Sequence, residues 1–218
     1  MMTSRRDFIV QGGLAFGGAA AALSLPAGLQ AYPLDGILGV QSWELRTLLE
    51  TDLDGTLKAL AGYGYKALDL VINPLKEPSG KAMRQALERA GMICHNAHMP
   101  FAAFEEANYA QALAVARELG LKSAVIQAQA KTTEEWKTLA GTLSAIGART
   151  RRDGLQLGYH NHATEFRQVD GQLPFDLLVN GSDPEALKFQ IDVGNAAQGG
   201  ADPVAYLARY PSRYYSMH

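Results

Sequence analysis

The sequence predicts a (β/α)₈ barrel in which about seven strands are present. Two observations predict it. Short apolar runs begin near Ile37, Lys66, Met92, Lys122, Leu155, Lys188 and Arg213, recurring about every 25 to 33 residues. That is the length of one strand–helix unit with its loops, and alternating units imply a parallel sheet. The second observation is the lack of a Gly-x-Gly-x-x-Gly turn after the first strand, which weighs against a doubly wound nucleotide-binding sheet. The glycine pairs Gly12-Gly13 and Gly17-Gly18 lie upstream of the repeat.

The elements follow in order. Strand one is expected over Gly36 to Ser42 and strand three over Met92 to His98. Between strands the apolar spacing turns helical. Leu53, Leu57, Leu60 and Ala61 share one face, and Met83, Leu87 and Ala90 share the next. Ala110, Leu113, Ala114 and Arg117 mark a third helix, and Trp136, Leu139, Leu143 and Ile146 a fourth. Asp54, Ser79, Thr132 and Asp202 precede helical runs and are candidate N-caps. Gly64, Gly91, Gly120 and Gly154 fall where helices should end. A complete barrel of this type needs eight strands and about 250 residues. The strand count therefore predicts an eighth strand beyond His218.

The N-terminus reads as an address. Ser4-Arg5-Arg6-Asp7-Phe8-Ile9 is a twin-arginine pattern, followed by a weakly apolar Gly/Ala-rich stretch to Leu25. Residues 1–31 are expected to be an export signal and 32–218 a barrel domain, with a periplasmic destination. A retained helical anchor is the alternative. A hydrophobic content of 47%, 19% charged residues and a net charge of −2 describe an ordinary globule. This balance asks for no nucleic-acid or other polyanionic partner, and after signal cleavage for no membrane. One cysteine, Cys94, excludes an intrachain disulfide and reads as a small buried hydrophobe.

In such a barrel chemistry sits at the C-terminal ends of the strands. Strand one delivers Gln41-Ser42-Trp43-Glu44 there. Strand two delivers Asp69 and Asn73, strand three His98 and strand four Gln127 and Gln129. Strand five delivers His160-Asn161-His162 with Glu165 behind, strand six Asp192 to Asn195, and strand seven His218. All five histidines fall on strands or at their tips. Two imidazoles joined by a carboxylate suit a borderline divalent ion, so His160, Asp192 and His218 form a candidate metal site. Hydrogen bonding to loop backbone is the alternative for each histidine alone.

Together these segments resemble the sugar phosphate isomerase/epimerase family, with its xylose isomerase-like TIM barrel and its relation to endonuclease IV-type enzymes. The resemblance rests on Gly158-Tyr159-His160-Asn161-His162, Glu165-Phe166, Ile191-Asp192-Val193-Gly194-Asn195 and Ser216-Met217-His218. Gly39 to Arg46 and Gly62 to Asp69 resemble its first two strands. The resemblance implies a divalent cofactor (Mn, Zn, Co or Mg) held by Asp192 and His218. The family's strand-five carboxylate is replaced here by His160. It further implies a small carbohydrate substrate, an enediolate intermediate and proton transfer by Glu165 and His162. Glu44, His98 and Asn195 are the expected substrate-binding residues. Trp43 and Phe101 offer sugar-stacking faces, with core packing as the alternative. A homo-oligomer fits the family.

The leading expectation is a metal-dependent isomerase or epimerase of a sugar or keto-sugar. The alternatives are a lyase or dehydratase acting on a keto-sugar or keto-inositol, an endonuclease IV-like phosphodiesterase, and a non-catalytic sugar-binding protein. The near-neutral charge weighs against the phosphodiesterase, which needs a basic groove.

Overall fold

The computed structural model describes residues 37–218, and the export-signal reading for 1–31 lies outside the described residues. The strands are β1 (Gly39–Gln41), β2 (Ala67–Val71), β3 (Ile93–His98), β4 (Ser123–Ile126), β5 (Gln156–His160), β6 (Leu187–Ile191) and β7 (Tyr214–Met217). They form one parallel sheet in which each strand pairs with the next in chain order. From β2 onward every strand begins within about one residue of its expected position. β1 begins later than expected, at Gly39, and ends at Gln41 because Ser42 already turns into the 3-10 helix Trp43–Leu45.

The sheet is curled into an incomplete barrel. Gln190 on β6 donates from Nε2 to Asp69 Oδ2 on β2 at 2.9 Å. The Tyr215 hydroxyl on β7 donates to Asn96 Oδ1 on β3 at 3.1 Å. Side chains of late strands therefore meet those of early strands across a shared interior. The β2–β3 pairing shifts register between Ala67 and Asp69, so that Asp69 lies opposite Asn96. An extra residue in one strand re-aims the side chains beyond it.

Eight helices are described: α1 (Arg46–Thr51), α2 (Leu53–Gly62), α3 (Lys81–Ala90), α4 (Glu106–Leu119), α5 (Thr133–Arg152), α6 (Pro174–Gly181), α7 (Val193–Gln198) and α8 (Pro203–Arg209). None of the described helices is long and apolar enough to cross a membrane. Thr132 caps α5 in a reciprocal box with Glu135, and Asp202 accepts from the amides of Val204 and Ala205. Asp52, not Asp54, caps α2, because the helix begins at Leu53; Asp54 sits in the first turn and pairs with Arg89 at 2.7 Å. Ser79 stands one residue before the N-cap Gly80 and accepts from the Lys81 amide at 3.3 Å. Gly91 and Gly120 end α3 and α4 with φ of 67° and 78°, a left-handed conformation that a Cβ disfavours.

The buried face of α4 is Ala112, Val115, Ala116 and Leu119, whereas Ala110, Ala114 and Arg117 lie outside it. Alanine occurs on every side of this helix, so it marks no face. Val115 and Leu119, four residues apart, carry more apolar area and decide the orientation. In α5 Trp136, Leu143 and Ile146 are buried as expected. Cys94 is buried in β3, and burial pushes its thiol up to about 12, so it packs as a hydrophobe and stays protonated.

Gly158 lies on β5 under the Tyr215 ring. A Cβ there would stand 2.5 Å from the Tyr215 hydroxyl oxygen and 2.7 Å from Cε1. Gly158→Ala is expected to destabilise the fold by about 1–3 kcal/mol through overpacking, read by urea unfolding. Unchanged stability would mean that the interior has room that this packing denies.

Candidate active site

Three consecutive strand ends converge. His160 is the last residue of β5, Asp192 follows β6, and His218 follows β7. One ligand atom from each lies within 4.8 Å of the others. His218 Nδ1 is 3.0 Å and His160 Nε2 3.7 Å from Asp192 Oδ2. The backbone locks these ends together: His218 N donates to Ile191 O at 2.7 Å, and Val193 N to His218 O at 3.0 Å. Two imidazoles and one carboxylate converging at this spacing fit a borderline divalent ion, which His160, Asp192 and His218 would hold.

Asp192 is held from several sides. It caps α7, its Oδ1 accepting from Asn195 N at 2.7 Å and its Oδ2 from Asn195 Nδ2 at 2.9 Å. Fully buried Asn161 clamps the Asp192 backbone, accepting from its amide at 2.9 Å and donating to its carbonyl at 3.0 Å. Burial works against ionisation of Asp192. The Asn195 amide and the rings of His218 and His160 outweigh it and hold the carboxyl below its usual range.

His160 is the centre of an imidazole cluster. Its ring centroid is 5.1 Å from that of His98, and 5.2 Å from those of His162 and His218. Burial first, then the neighbouring His98, lowers its pKa to about 4, so the ring is neutral at physiological pH. Its Nδ1 lies 2.9 Å from Gln190 Oε1. Asp69 receives Gln190 Nε2, Asn96 Nδ2 at 2.9 Å and a contact from His98 Nε2 at 3.4 Å. Burial raises its pKa, but these partners together bring it below the ordinary value.

A cavity of about 320 Å³ opens beside the cluster, lined by Gln41, Trp43, Val71, His98, Gln127, His160 and His162. This volume is at the lower end of the range for small-molecule sites. Of the expected site residues, His98, His160 and His162 line it. Glu44 does not: it is exposed on the 3-10 turn, and Gln41, with Nε2 3.1 Å from His98 Nε2, takes the lining position. The chain leaves the strand at Ser42, whose hydroxyl accepts from the Val71 amide at 2.8 Å, and the turn that follows carries Glu44 outward. Asn195 holds Asp192 and does not line the cavity. Trp43 is half exposed at the rim, with the Arg46 guanidinium 4.7 Å from its ring, while Phe101 packs against the core. His95 is exposed and outside the lining.

Glu165 is fully buried and does not line the cavity. It accepts from the Tyr159 hydroxyl at 2.8 Å, the Thr164 hydroxyl at 2.8 Å and the His162 amide at 3.1 Å. Burial alone would raise its pKa, and these donors and His162 lower it below the ordinary value. His162 Nδ1 lies 3.9 Å from Glu165 Oε1, an ion-pair distance rather than a hydrogen bond. The Glu165 carboxylate raises the His162 pKa above 6.5 against an opposing effect of burial. Gln190 is absent from the sequence-based site, and Asp69 has no role in it. The signal was alternation: Gln190 and Asp192 are two apart on an extended strand, and so face the same side.

A curled parallel sheet wrapped by helices, with polar side chains gathered at the C-terminal strand tips, defines the class of α/β barrels of the TIM type. Within that class residues 57–218 match the xylose isomerase-like TIM barrel family, and the chain belongs to it. A sugar phosphate isomerase/epimerase structure from Parabacteroides distasonis aligns with TM-score 0.76 and 23% identity over 83% of this chain and 73% of that one. An L-ribulose 3-epimerase structure aligns with TM-score 0.59 and 13% identity, over 83% of this chain and 68% of that one. An inosose dehydratase of Lacticaseibacillus casei is 32% identical over 87 residues, 40% of this chain. The matched stretch spans 28% of that relative's length.

Proposed function

We propose that the chain is an isomerase or epimerase of a sugar or keto-sugar, working by divalent-ion-assisted proton transfer beside a carbonyl. The observation that carries this reading is the convergence of His160, Asp192 and His218 within 4.8 Å at the edge of a cavity that His162 also lines. The ion, when bound, supplies Lewis-acid polarisation of substrate oxygens. Asp192 and the imidazoles of His160 and His218 would hold it. His162 moves the proton, and Glu165, buried and outside the cavity lining, steadies the imidazolium that results. Gln41 and Gln127 offer hydrogen bonds to hydroxyls, and the Trp43 ring offers an apolar face. Among the described lining residues the polar groups are amides, imidazoles and the Trp43 indole N–H, with no lysine or arginine, which supports an unphosphorylated substrate. The twin-arginine pattern supports a periplasmic site of action.

A second reading, a dehydratase acting on a keto-sugar or keto-inositol, is favoured by the stretch shared with inosose dehydratase. It uses the same proton abstraction, followed by loss of a β-hydroxyl as water.

Incubation in D₂O with Mn²⁺ and a panel of ketoses and keto-inositols, followed by NMR, separates the two. An isomerase or epimerase places deuterium beside the carbonyl and keeps every hydroxyl; a dehydratase loses one. Metal-loaded protein that exchanges no carbon-bound proton in any member of the panel would sink both readings. His162→Ala is expected to lower exchange by about 10²–10⁴-fold. A base must be neutral, so the rate rises with pH through the raised His162 pKa, above 6.5. Glu165→Gln removes the raising charge, and the rising limb is expected to move to lower pH.

A further inference from the structure

We propose that Asp69 and Gln190 are positioning residues that fix His160 as its Nδ1–H tautomer, leaving the Nε2 lone pair on the side of Asp192 and His218. The inference rests on the reading that these three side chains hold a metal ion, and it concerns how the chain prepares one of them.

The hydrogen bonds inside the barrel have a direction. The hydroxyls of Ser123 and Tyr215 donate to Asn96 Oδ1 at 2.6 and 3.1 Å. This fixes the Asn96 amide so that its nitrogen faces Asp69, and it donates to Oδ1 at 2.9 Å. An ionised carboxylate accepts only. The Gln190 amide nitrogen must therefore face Asp69 Oδ2, at 2.9 Å. Its carbonyl oxygen then faces His160 Nδ1, also at 2.9 Å, and that oxygen is an acceptor. The imidazole can satisfy it only by carrying its proton on Nδ1. The other ring nitrogen, Nε2, lies 3.7 Å from Asp192 Oδ2 with its lone pair free. A neutral imidazole binds a metal through such a lone pair, and the hydrogen bond at the opposite nitrogen selects which one is available. The anion that makes this selection does not touch the histidine. Asp69 acts through Gln190, from the far side of the barrel interior.

Asp69→Asn tests this with an isosteric change. The introduced carboxamide would accept from Asn96 through its oxygen and donate through its nitrogen toward Gln190. Gln190 must then turn its oxygen to that new donor and its nitrogen to His160, which drives the proton to Nε2. The experiment is ¹⁵N NMR of the histidine-labelled, EDTA-treated chain at pH 7.5, with His160 assigned by the His160→Gln variant. Alongside it run Zn²⁺ and Mn²⁺ titrations and a circular dichroism check of folding. The wild type is expected to show Nδ1–H at His160. Folded Asp69→Asn is expected to show Nε2–H and to bind either ion about 10- to 100-fold more weakly. Gln190→Leu is expected to lose the tautomer bias and a similar share of affinity. An Nε2–H wild type overturns the proposal, as does a folded Asp69→Asn protein with an unchanged tautomer. If Asp69→Asn fails to fold, the wild-type spectrum and Gln190→Leu decide the question. A wild type with the expected tautomer and no affinity for either ion upholds the Asp69–Gln190 assignment and sinks the metal reading instead.

Discussion

Replacing Asp192 by alanine is expected to abolish divalent-metal binding while the fold survives. Asp192 Oδ2 is the point on which the other two donors converge, at 3.0 Å from His218 and 3.7 Å from His160. It is also the only carboxylate of the three, so its loss removes the charge that offsets the cation. Changing a residue that merely supports a ligand weakens metal binding by about 10- to 100-fold, and removing the ligand itself should exceed that. Alanine also removes the N-cap of α7, at a cost of about 0.5–2 kcal/mol. Asparagine separates the two effects. Asp192→Asn keeps an oxygen for the Asn195 amide and caps about as well as aspartate, yet it loses the negative charge. Both variants should show little bound metal by elemental analysis after dialysis against Mn²⁺ or Zn²⁺, with only the alanine variant measurably less stable. Undiminished metal in Asp192→Ala would remove the basis of the proposed chemistry.

Phe175→Ala is expected to be the costliest single core change. Phe175 is completely buried on α6. Its ring stacks on Phe166 at 4.7 Å and meets Phe189 at 5.2 Å and Tyr206 at 5.4 Å. Truncation of such a ring costs about 3–5 kcal/mol. A domain is stable by only about 5–15 kcal/mol, so the loss is a large fraction of the total. The damage should also reach the site. Phe166 ends the 3-10 turn Ala163–Phe166 that carries Glu165, and Phe189 precedes Gln190 on β6. Urea unfolding should show the lower midpoint. A loss below about 1 kcal/mol would mean that neighbouring rings close the cavity.

The barrel was legible because its signals are local and periodic. Strand starts depend on runs of apolar residues, and α5 is marked by well-spaced Trp136, Leu143 and Ile146. The face of α4 was not legible, since alanine on all sides carries no orientation. His160, Asp192 and His218 were legible because each stands at a strand tip, where register alone brings neighbours together. Glu44 and Glu165 stand outside the cavity lining for a different reason. Being near a strand end in sequence does not say which way the following turn points. The turn after Ser42 carries Glu44 outward, and three donors hold Glu165 in a fully buried position. What stayed hidden was the pairing of Gln190 with Asp69, because it crosses the barrel, a relation that no local pattern encodes.

That partnership sets an order of assembly. Gln190 and Asp69 are 121 residues apart, and Tyr215 and Asn96 are 119 apart, while neighbouring strands pair over roughly a quarter of that separation. Sheet pairing can proceed strand by strand as the chain emerges, whereas the interior bonds must wait for β6 and β7. Long-range contacts of this kind are slow to form because chain entropy is lost before they return any stabilisation. Without β6, Asp69 lacks the Gln190 amide and His160 Nδ1 lacks the Gln190 carbonyl. The convergence of His160, Asp192 and His218 thus depends on β6 and β7, the last two strands described, being in place.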